Sequence, residues 1–381
     1  MELTFEYRIY PNASQRKTIA QTFGCCRWVY NRALSIQKDE YKATKKKISK
    51  FDIMKMIPAW KKEQETSWLK EADSRALQES INDLEKAYKN FFRNPGKIGF
   101  PKFKSRRSRQ SYRTTNVEIL DSKHIKLLKL GSVKARISRP VQGRILSATV
   151  KQTPSGKYFV TVCCTDVPLK ESSPANTAVG VDVGIKSLLV CSDGQVFDNP
   201  KSTKKYEKKL AREQRKLSRK KKGSKNRNKQ RIRVARIHEK IANSRNDNMH
   251  KATSKLTNEN QVVCVEDLNA KGMMSNHKLA KSVGDAAFGE IVRQIEYKCK
   301  LRAGHLQKVD RFYPSSKTCN SCGHVKDEMP LQVRKWKCPV CHTEHDRDIN
   351  AAKNILAEGL RLLSKGNGSA GLAQTQTAMA V

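Results

Sequence analysis

Acidic residues are scarce in this chain. Its 381 residues include 36 Asp and Glu against 77 Lys and Arg, which gives a formal net charge of +41. Such an excess of one sign opposes compaction through self-repulsion, and binding a polyanion relieves that repulsion. The composition therefore argues against an ordinary neutral metabolic enzyme and favours a protein that binds nucleic acid.

Long hydrophobic runs and secretion signals are also missing. No apolar stretch approaches the roughly 18 residues that a membrane-spanning helix needs, so no membrane partner is expected. The N-terminus, MELTFEYRIYPN, is acidic and alternating, unlike a signal peptide. Among the 11 cysteines, the adjacent pairs Cys25-Cys26 and Cys163-Cys164 suit disulfide geometry poorly. These absences indicate a reducing, cytoplasmic location.

The hydrophobic pattern places helices between two strand-rich segments in the first 170 residues. Residues 2–10 alternate like a half-buried strand, residues 14–92 follow a helical period broken at Pro58, and short strands return over residues 117–164. These strands predict a small β-barrel or curled sheet. Because the first strand has no neighbouring partner, we expect it to pair with that sheet, with the helices inserted between them.

The second half of the chain alternates strands and helices. Residues 178–191 predict a strand, a turn at Gly184 and a second strand. Residues 261–266, QVVCVE, form an apolar run that ends in an acid, which is typical of a buried central strand. Helices are expected over residues 285–301 and 348–363.

Two segments concentrate the basic residues. Residues 201–236 contain 18 Lys or Arg and only Glu207 and Glu213 as acids. A solvated face or a disordered arm would explain such a run. Interspersed apolar residues instead favour two helices, broken near Gly223, that lie along a nucleic-acid backbone. Residues 94–113 mix turn residues, basic residues and aromatics, which indicates a linker that contacts phosphate.

Four cysteines form the strongest local motif. Two Cys-x2-Cys pairs are separated by 15 residues, a spacing that suits one tetrahedral zinc ion. Because all four ligands are sulfur, the ion would be structural. The nearby histidines are possible alternative ligands, although ordinary polar roles are more common. The cysteines are Cys319, Cys322, Cys338 and Cys341, and the histidines are His324, His342 and His345.

Three separated acids lie at or near the ends of predicted elements: Asp182, Glu266 and Asp348. A carboxylate at a strand end escapes the core but is rigidly aimed, as the binding of two Mg²⁺ ions requires. Spacing alone is a weak argument, and these acids could instead be caps and surface groups. Asp346 and Asp267 are rival ligands, and Asp346 could cap the last helix.

Several motifs, in one order along the chain, resemble the TnpB family of insertion sequences, which is related to type V CRISPR nucleases. They are GVDVGIKSLLV, RKLSRKKKGSKNRNKQR, VCVEDLNAKGM, FYPSSKTCNSCG and DRDINAAKNI, preceded by RIYPNASQ, GCCRWVYN and GFPKFKSR. The order of acid, basic hairpin, acid, four-cysteine ribbon and acid is more specific than any single motif.

The resemblance implies an α/β multidomain protein that contains an RNase H-like (RuvC) nuclease domain with a zinc ribbon. It also implies a wedge-type β-barrel with an inserted helical recognition domain. The expected boundaries are 1–12 and 110–170 for the barrel, 13–109 for the insertion, 171–315 and 345–362 for the nuclease domain, 316–344 for the ribbon and 363–381 for a disordered tail.

The resemblance further implies an RNA-guided DNA endonuclease whose partners are guide RNA and target DNA. Asp182, Glu266 and Asp348 match the family's metal-binding acids and would hold two Mg²⁺ ions, with one structural Zn²⁺ on the cysteines. Gln78 is expected to contact the duplex beside the target. Phe100, Phe103 and Tyr112 are candidates for base stacking, although buried aromatics are the commoner case. The phosphate-contacting candidates are Lys102, Lys104, Arg106, Arg107, Arg215, Arg219, Lys220, Lys221, Lys222, Arg227 and Arg231.

Other functions fit parts of the sequence. An RNA-guided protein that binds DNA without cutting it would have the same charge and cysteines. A transposase could use three acids for strand transfer, but a ribbon directly before the third acid argues against it. A basic zinc-ribbon protein that only binds RNA leaves the strand-end acids unexplained. We expect a prokaryotic cytoplasmic protein, associated with the nucleoid when bound to DNA.

Overall fold

The computed structural model describes residues 1–330 and 332–366, and the remainder of the predicted disordered tail lies outside this part of the chain. Two compact units are present, Met1–Pro168 and a second that begins at Leu169. Within the described residues, no helix combines the length and the apolar character needed to cross a membrane.

The first unit contains seven strands and three α-helices. Its elements are β1 (Leu3–Ile9), α1 (Ala13–Thr44), α2 (Lys50–Lys62), a 3₁₀-helix (Gln64–Glu71), α3 (Ser74–Arg93), β2 (Gln110–Thr114), β3 (Val117–Ile119), β4 (His124–Leu127), β5 (Gly131–Arg136), β6 (Arg144–Gln152) and β7 (Tyr158–Thr165).

The first strand pairs with the sheet that follows the helices, as the sequence predicts. β1 runs antiparallel to β7, from Leu3 opposite Cys164 to Ile9 opposite Tyr158. Its other edge pairs with β5. The apolar face of the strand, Phe5, Tyr7 and Ile9, is buried in a core shared with α1 and α3. β1, which precedes the helical insertion, is therefore part of the same sheet as the strands that follow it.

The predicted barrel is wrong in one respect, because the seven-stranded sheet of the described residues is not closed. The strand order is β2-β6-β7-β1-β5-β4-β3, and no ladder joins β2 to β3. These edge strands are separated by only Thr115 and Asn116, which can span about 10 Å at most. The sheet is therefore curled, the alternative that the sequence left open.

The helices of the first unit begin and end as local chemistry dictates, with one exception. Asn12 caps α1: its Oδ1 accepts a hydrogen bond from the backbone N of Gln15 at 2.8 Å, and Gln15 Oε1 accepts one from the N of Asn12 at 3.0 Å. Pro58 lies inside α2, so the predicted break there is wrong. Burial of the apolar face of α2, through residues such as Ile57 and Trp60, offsets the lost backbone hydrogen bond.

The second unit is an α/β unit. Its elements are β8 (Ala178–Val183), β9 (Ser187–Cys191), β10 (Val196–Asp198), α4 (Ser202–Ser218), α5 (Lys225–Glu259), β11 (Val262–Glu266), α6 (Ala270–Met274), α7 (His277–Ala286), α8 (Phe288–Leu301), β12 (His305–Val309), β13 (Lys335–Lys337), β14 (Glu344–Asp346) and α9 (Arg347–Gly366). The last helix thus extends four residues into the predicted tail, which was expected to begin at residue 363.

A five-stranded mixed sheet forms the centre of this unit, in the order β10-β9-β8-β11-β12. β11 is parallel to both of its neighbours, β8 and β12, and its residues Val263, Cys264 and Val265 are fully buried. The buried central strand and the strand-turn-strand at residues 178–191 are therefore confirmed. β13 and β14 form a separate two-stranded sheet.

The basic segment is a helical hairpin, as predicted, with its turn between α4 and α5. Gly223 has a φ of +85°, which favours glycine, and Ser224 caps α5 by accepting a hydrogen bond from the N of Arg227. The start of α4 is held by Asp285, whose carboxylate accepts hydrogen bonds from the N and Oγ1 of Thr203 and from Arg245. The second helix of the hairpin, α5, runs to Glu259, far beyond the basic residues 201–236.

α9 lies so close to the sheet that glycine is required at two contacts. A Cβ at Gly180 in β8 would lie 2.0 Å from the carbonyl oxygen of Ala352 and 2.6 Å from the N of Leu356. A Cβ at Gly359 in α9 would lie 2.4 Å from the Sγ of Cys264 in β11. The backbone of the last helix is therefore placed directly against the two neighbouring central strands.

We predict that Gly180→Ala destabilises the protein by about 1–3 kcal/mol, because the added methyl group forces α9 away from β8. The measurement is the free energy of unfolding in urea. Gly289→Ala in α8 is the matched control: a Cβ there meets nothing within 4 Å, and alanine favours a helix. Equal stability of the Gly180 variant and the wild type would contradict the close approach.

Candidate metal centres

Two of the predicted acids lie side by side at one edge of the sheet. Asp182 is the penultimate residue of β8, and Glu266 is the last residue of β11. The parallel ladder between these strands ends at Val181 opposite Val265, so each acid directly follows the last residue of this ladder on its strand. Neighbouring strands are about 4.8 Å apart, which places both carboxylates at the same point of the edge.

The third acid, Asp348, belongs to the first turn of α9, the helix that packs on the same two strands. Its Oδ1 and Oδ2 accept hydrogen bonds from the Arg334 guanidinium at 3.0 and 3.2 Å. A negative charge in the first turn also interacts favourably with the helix dipole. Asp348 is therefore aimed by its helix and neutralised by an arginine from the segment before β13.

The electrostatics connect the three carboxylates. Burial, and after it the charge of Asp348, raises the pKa of Asp182 to about 6, against the opposing effects of Arg347 and Arg334. Burial and the charge of Asp182 raise the pKa of Glu266 to about 7. Each group therefore resists ionisation because it is desolvated beside like charge. A divalent cation would remove both causes, and carboxylate oxygens are ligands that suit Mg²⁺.

The rival acids have other partners. Asp346 Oδ1 accepts hydrogen bonds from the backbone N atoms of Asp348 and Ile349, at 3.0 and 3.1 Å, so it caps α9, the alternative role considered for it. Asp267 forms an ion pair with Arg311. Both acids are thus engaged outside the group formed by the other three.

The four cysteines converge as their spacing predicts. Their Sγ atoms all lie within 4.8 Å of one another, and they are the only such set of three or more potential metal ligands among the described residues. The Sγ atoms of Cys319 and Cys341 are 3.6 Å apart, as are those of Cys322 and Cys338. All 11 cysteines are thiols. Four convergent thiols fit tetrahedral zinc. The three acids Asp182, Glu266 and Asp348, here called the carboxylate group, are spaced more widely than the four sulfur atoms.

Of the three nearby histidines, His345 lies against this cluster. Its Nε2 is 3.1 Å from the Sγ of Cys319, and its ring packs on Trp336 with the centroids 4.8 Å apart. Hydrogen bonding to Thr343 lowers the pKa of Cys341 to about 6, which favours the thiolate that metal binding needs. His345 is thus placed to donate a hydrogen bond to a thiolate.

Two buried asparagines of α9 hold the segment that contains the first cysteine pair. Asn350 Nδ2 donates to the carbonyl oxygen of Thr318 at 2.7 Å, and its Oδ1 accepts from the N of Asn320 at 3.0 Å. Asn354 Nδ2 donates to the carbonyl oxygens of Ser315 and Thr318 at 2.8 and 2.7 Å. The helix that carries Asp348 and the cysteine module are therefore hydrogen-bonded as one unit.

Sequence reasoning missed Arg334, Asn350 and Asn354. The asparagines have a recognisable signal, since a four-residue spacing places both on one face of a helix. Arg334 has none, because many basic residues lie in this part of the chain and only the fold selects one of them.

The predicted nucleic-acid contacts have different surroundings. Arg227 is partly engaged in closing the hairpin, donating to the carbonyl oxygens of Leu217 and Lys220. Lys104 is half-buried, with its Nζ 3.9 Å from the centre of the Tyr30 ring. Tyr112 is buried against Phe23, the commoner role of such a ring, and is therefore not available for base stacking. Gln78 and Lys220 are half-buried, and the exposed candidates are Lys102, Arg106, Arg107, Arg215, Arg219, Lys221, Lys222 and Arg231.

Three family models match the chain. One described as "Probable transposase" matches residues 159–277, and one described as "Cas12f1-like, TNB domain" matches residues 288–355. A third, described as "Helix-turn-helix domain", matches residues 1–46, which the structure folds as β1 and the single long helix α1.

Relatives align over nearly the whole chain. A protein of Streptomyces pristinaespiralis named "Putative RNA-guided DNA endonuclease" is 38% identical over 375 residues, which cover 96% of this chain and 91% of that protein. InsQ of Escherichia coli K12, with the same description, is 35% identical and covers 95% of this chain and 93% of that protein. A mimivirus "TnpB-like protein L79" is 27% identical over 134 residues, 34% of this chain and 25% of that protein.

The fold resembles that of a Cas12f1 protein solved in complex with single-guide RNA and target DNA. The TM-score is 0.58 at 15% identity, and the match covers 93% of this chain and 98% of that one. This likeness establishes the class of fold, which is that of the Cas12f1 protein. With the near full-length relatives, it follows that the chain belongs to the TnpB family.

We predict that Asp182→Asn stabilises the protein at pH 8 without added divalent cation. A carboxyl group whose pKa is raised on folding loses stabilising free energy as the pH rises from its unfolded value near 4 to its folded value of about 6. The amide escapes this loss, so its advantage of about 1–3 kcal/mol at pH 8 should shrink towards pH 5. Urea unfolding at both pH values measures it.

Asp247→Asn is the control for this prediction, because Asp247 is an exposed acid on α5 of the same unit. Its unfolding free energy should change by much less at either pH. A less stable Asp182→Asn protein at pH 8 would contradict the electrostatic description of the edge.

Proposed function

We propose that this chain is an RNA-guided DNA endonuclease that hydrolyses phosphodiester bonds next to a short motif in the target duplex. The observation that carries this proposal is the meeting of Asp182 and Glu266 at the ends of adjacent parallel strands, with Asp348 on the helix packed against both. The names of the near full-length relatives support the same activity. The protein would act in the prokaryotic cytoplasm, at the nucleoid when bound to DNA.

In this proposal Asp182, Glu266 and Asp348 hold two Mg²⁺ ions. Such ions activate a water molecule and stabilise the leaving oxygen in phosphodiester hydrolysis. The chain's own contribution is to fix three oxygen donors on two strands and one helix. In this structure the Arg334 guanidinium forms an ion pair with the carboxylate of Asp348. A cation at Asp348 would therefore compete with the guanidinium for the same oxygens.

The four cysteines would hold one Zn²⁺ ion with a structural role, because a site with four sulfur ligands leaves no open position for chemistry. The zinc site is connected to α9 through two asparagines of that helix. Asn350 and Asn354 are hydrogen-bonded to the segment that precedes and includes the first cysteine pair. Folding of the ribbon on zinc would thereby help to fix the helix that carries Asp348.

The remaining assignments follow the family resemblance. Residues 1–12 and 110–170 would form the wedge-type sheet, and residues 13–109 the recognition insertion with Gln78 at the adjacent duplex. Residues 171–315 and 345–362 would form the RuvC-like domain around the ribbon of 316–344. The exposed lysines and arginines of the α4–α5 turn suit the phosphates of a guide or hybrid duplex.

The test is cleavage by purified protein that carries its co-purified RNA, sequenced to design a matched DNA target. With Mg²⁺ we expect the wild type to cut and Asp182→Ala to lose cutting by at least about a hundredfold, with near-normal DNA binding, since the acid serves only the metal site. Asp267→Ala is the matched control, because this neighbouring acid pairs with Arg311 and should remain active.

Each other outcome contradicts part of the proposal. Binding of matched DNA without cutting by the wild type would make the chain a guided binding protein. Cutting by Asp182→Ala would remove that residue from the mechanism, and joined strands in the product would identify a transferase.

A further inference from the structure

An exposed aromatic surface lies where α3 ends and the chain continues towards β2. It consists of Phe92, Ile98, Phe100 and Phe103, which are 68%, 40%, 41% and 54% exposed. Phenylalanine on a protein surface costs free energy through its contact with water, and a contiguous group of such rings usually marks a binding site. This group is not used by the metal centres described above.

The rings are held in place. The Phe91 ring centre is 5.1 Å from that of Phe92 and 5.4 Å from that of Phe100, and Tyr88, which is buried, packs edge-on against Phe100. Lys38 Nζ lies 4.8 Å from the Phe103 ring centre and 5.4 Å from that of Phe100. The rings of the aromatic surface are thus fixed by neighbours although their outer faces meet solvent.

The backbone beside Phe103 is fixed as well. Asn31 Nδ2 donates to the carbonyl oxygen of Lys104 at 3.0 Å, and the N of Lys104 donates to Asn31 Oδ1 at 2.8 Å. The Lys104 ammonium group lies over Tyr30 and pairs with Asp83 at 3.8 Å. A ligand at this surface would therefore meet an ordered set of rings and would not have to order a loose loop.

Charge indicates the ligand. Residues 86–109 contain nine Lys or Arg and no Asp or Glu, and eight of the nine are exposed: Lys86, Lys89, Arg93, Lys97, Lys102, Arg106, Arg107 and Arg109. Flat apolar rings surrounded by positive charge fit a ligand that combines flat apolar faces with a regular negative backbone. Nucleic acid has this combination, and its bases offer their faces only where they are unpaired.

We propose that the aromatic surface binds unpaired bases of a single nucleic-acid strand by stacking on Phe92, Phe100 and Phe103, with the surrounding lysines and arginines on its phosphates. This rests on the proposed function and deepens it, because a guided nuclease holds unpaired guide RNA and an unwound DNA strand. Both sources present the same bases and phosphates, and the experiment separates them.

The experiment measures binding of the full chain to fluorescein-labelled single strands of about 12 nucleotides, one RNA and one DNA of the same unstructured sequence, and to the DNA duplex. Phe92→Ala/Phe103→Ala should weaken single-strand binding about tenfold or more, and duplex binding by less than about twofold. The more strongly affected strand, RNA or DNA, identifies the source.

Salt dependence separates stacking from phosphate contact. The double alanine variant should keep the wild-type slope of log affinity against log salt, because it removes no charge. Lys97→Gln/Lys102→Gln should lower the slope for a single strand by about 1.4, which is about 0.7 for each lost phosphate contact. Phe103→Trp should bind at least as tightly as the wild type, since the larger ring still stacks.

Phe51→Ala is the matched control. Phe51 is 61% exposed on α2, and the Nζ of Lys50 lies 4.9 Å from its ring centre, so it shares the exposure and the neighbouring cation but lies outside the aromatic surface. It should leave binding unchanged. Thermal melting of each variant shows whether the fold is intact.

Three results would overturn the proposal: unchanged single-strand binding by the double alanine variant, an equal loss for the duplex, or an equal loss for a polyglutamate peptide used as a polyanion without bases. The measurement needs neither a matched guide nor cleavage. A protein that cuts but binds normally without the two rings refutes this proposal alone, whereas a protein that loses binding but never cuts refutes the nuclease function alone.

Discussion

The close packing of α9 on β8 and β11 is the contact on which the carboxylate group depends. Asp182 and Glu266 are neighbours because their strands pair. The third acid, Asp348, lies on α9, which begins at Arg347, 81 residues after Glu266. Gly180 and Gly359 remove the side chains that would hold the helix away. Since a Cβ at either position would overlap α9 or a central strand, the approach allows essentially no substitution without movement.

This packing brings three acidic side chains together in a chain that has few acidic residues. Asp182 and Glu266 keep their protons to unusually high pH because both are buried, Asp182 near Asp348 and Glu266 near Asp182. The same chain has a net charge of +41, and its exposed lysines and arginines repel one another until a polyanion binds. Each imbalance is relieved by a ligand of opposite charge, cations at the sheet edge and nucleic acid along the basic surfaces.

Much of this architecture is predictable from the sequence, and the exceptions share a cause. An unpaired first strand, a buried apolar run ending in an acid and the cysteine spacing are local patterns, and each predicts its structure correctly. Pro58 is a local signal for a break, yet burial of one face of α2 outweighs it. The roles of Arg334 and Gly180 depend on contacts between distant segments, about which a single sequence carries little information.

The proposed hydrolysis requires that the three carboxylates share divalent cations, and anomalous scattering from crystals grown with Mn²⁺ tests this directly. We expect anomalous peaks bounded by the side chains of Asp182, Glu266 and Asp348, with the Arg334 guanidinium displaced from Asp348. Manganese bound elsewhere, or an edge without a peak and with Arg334 still on Asp348, would contradict the account.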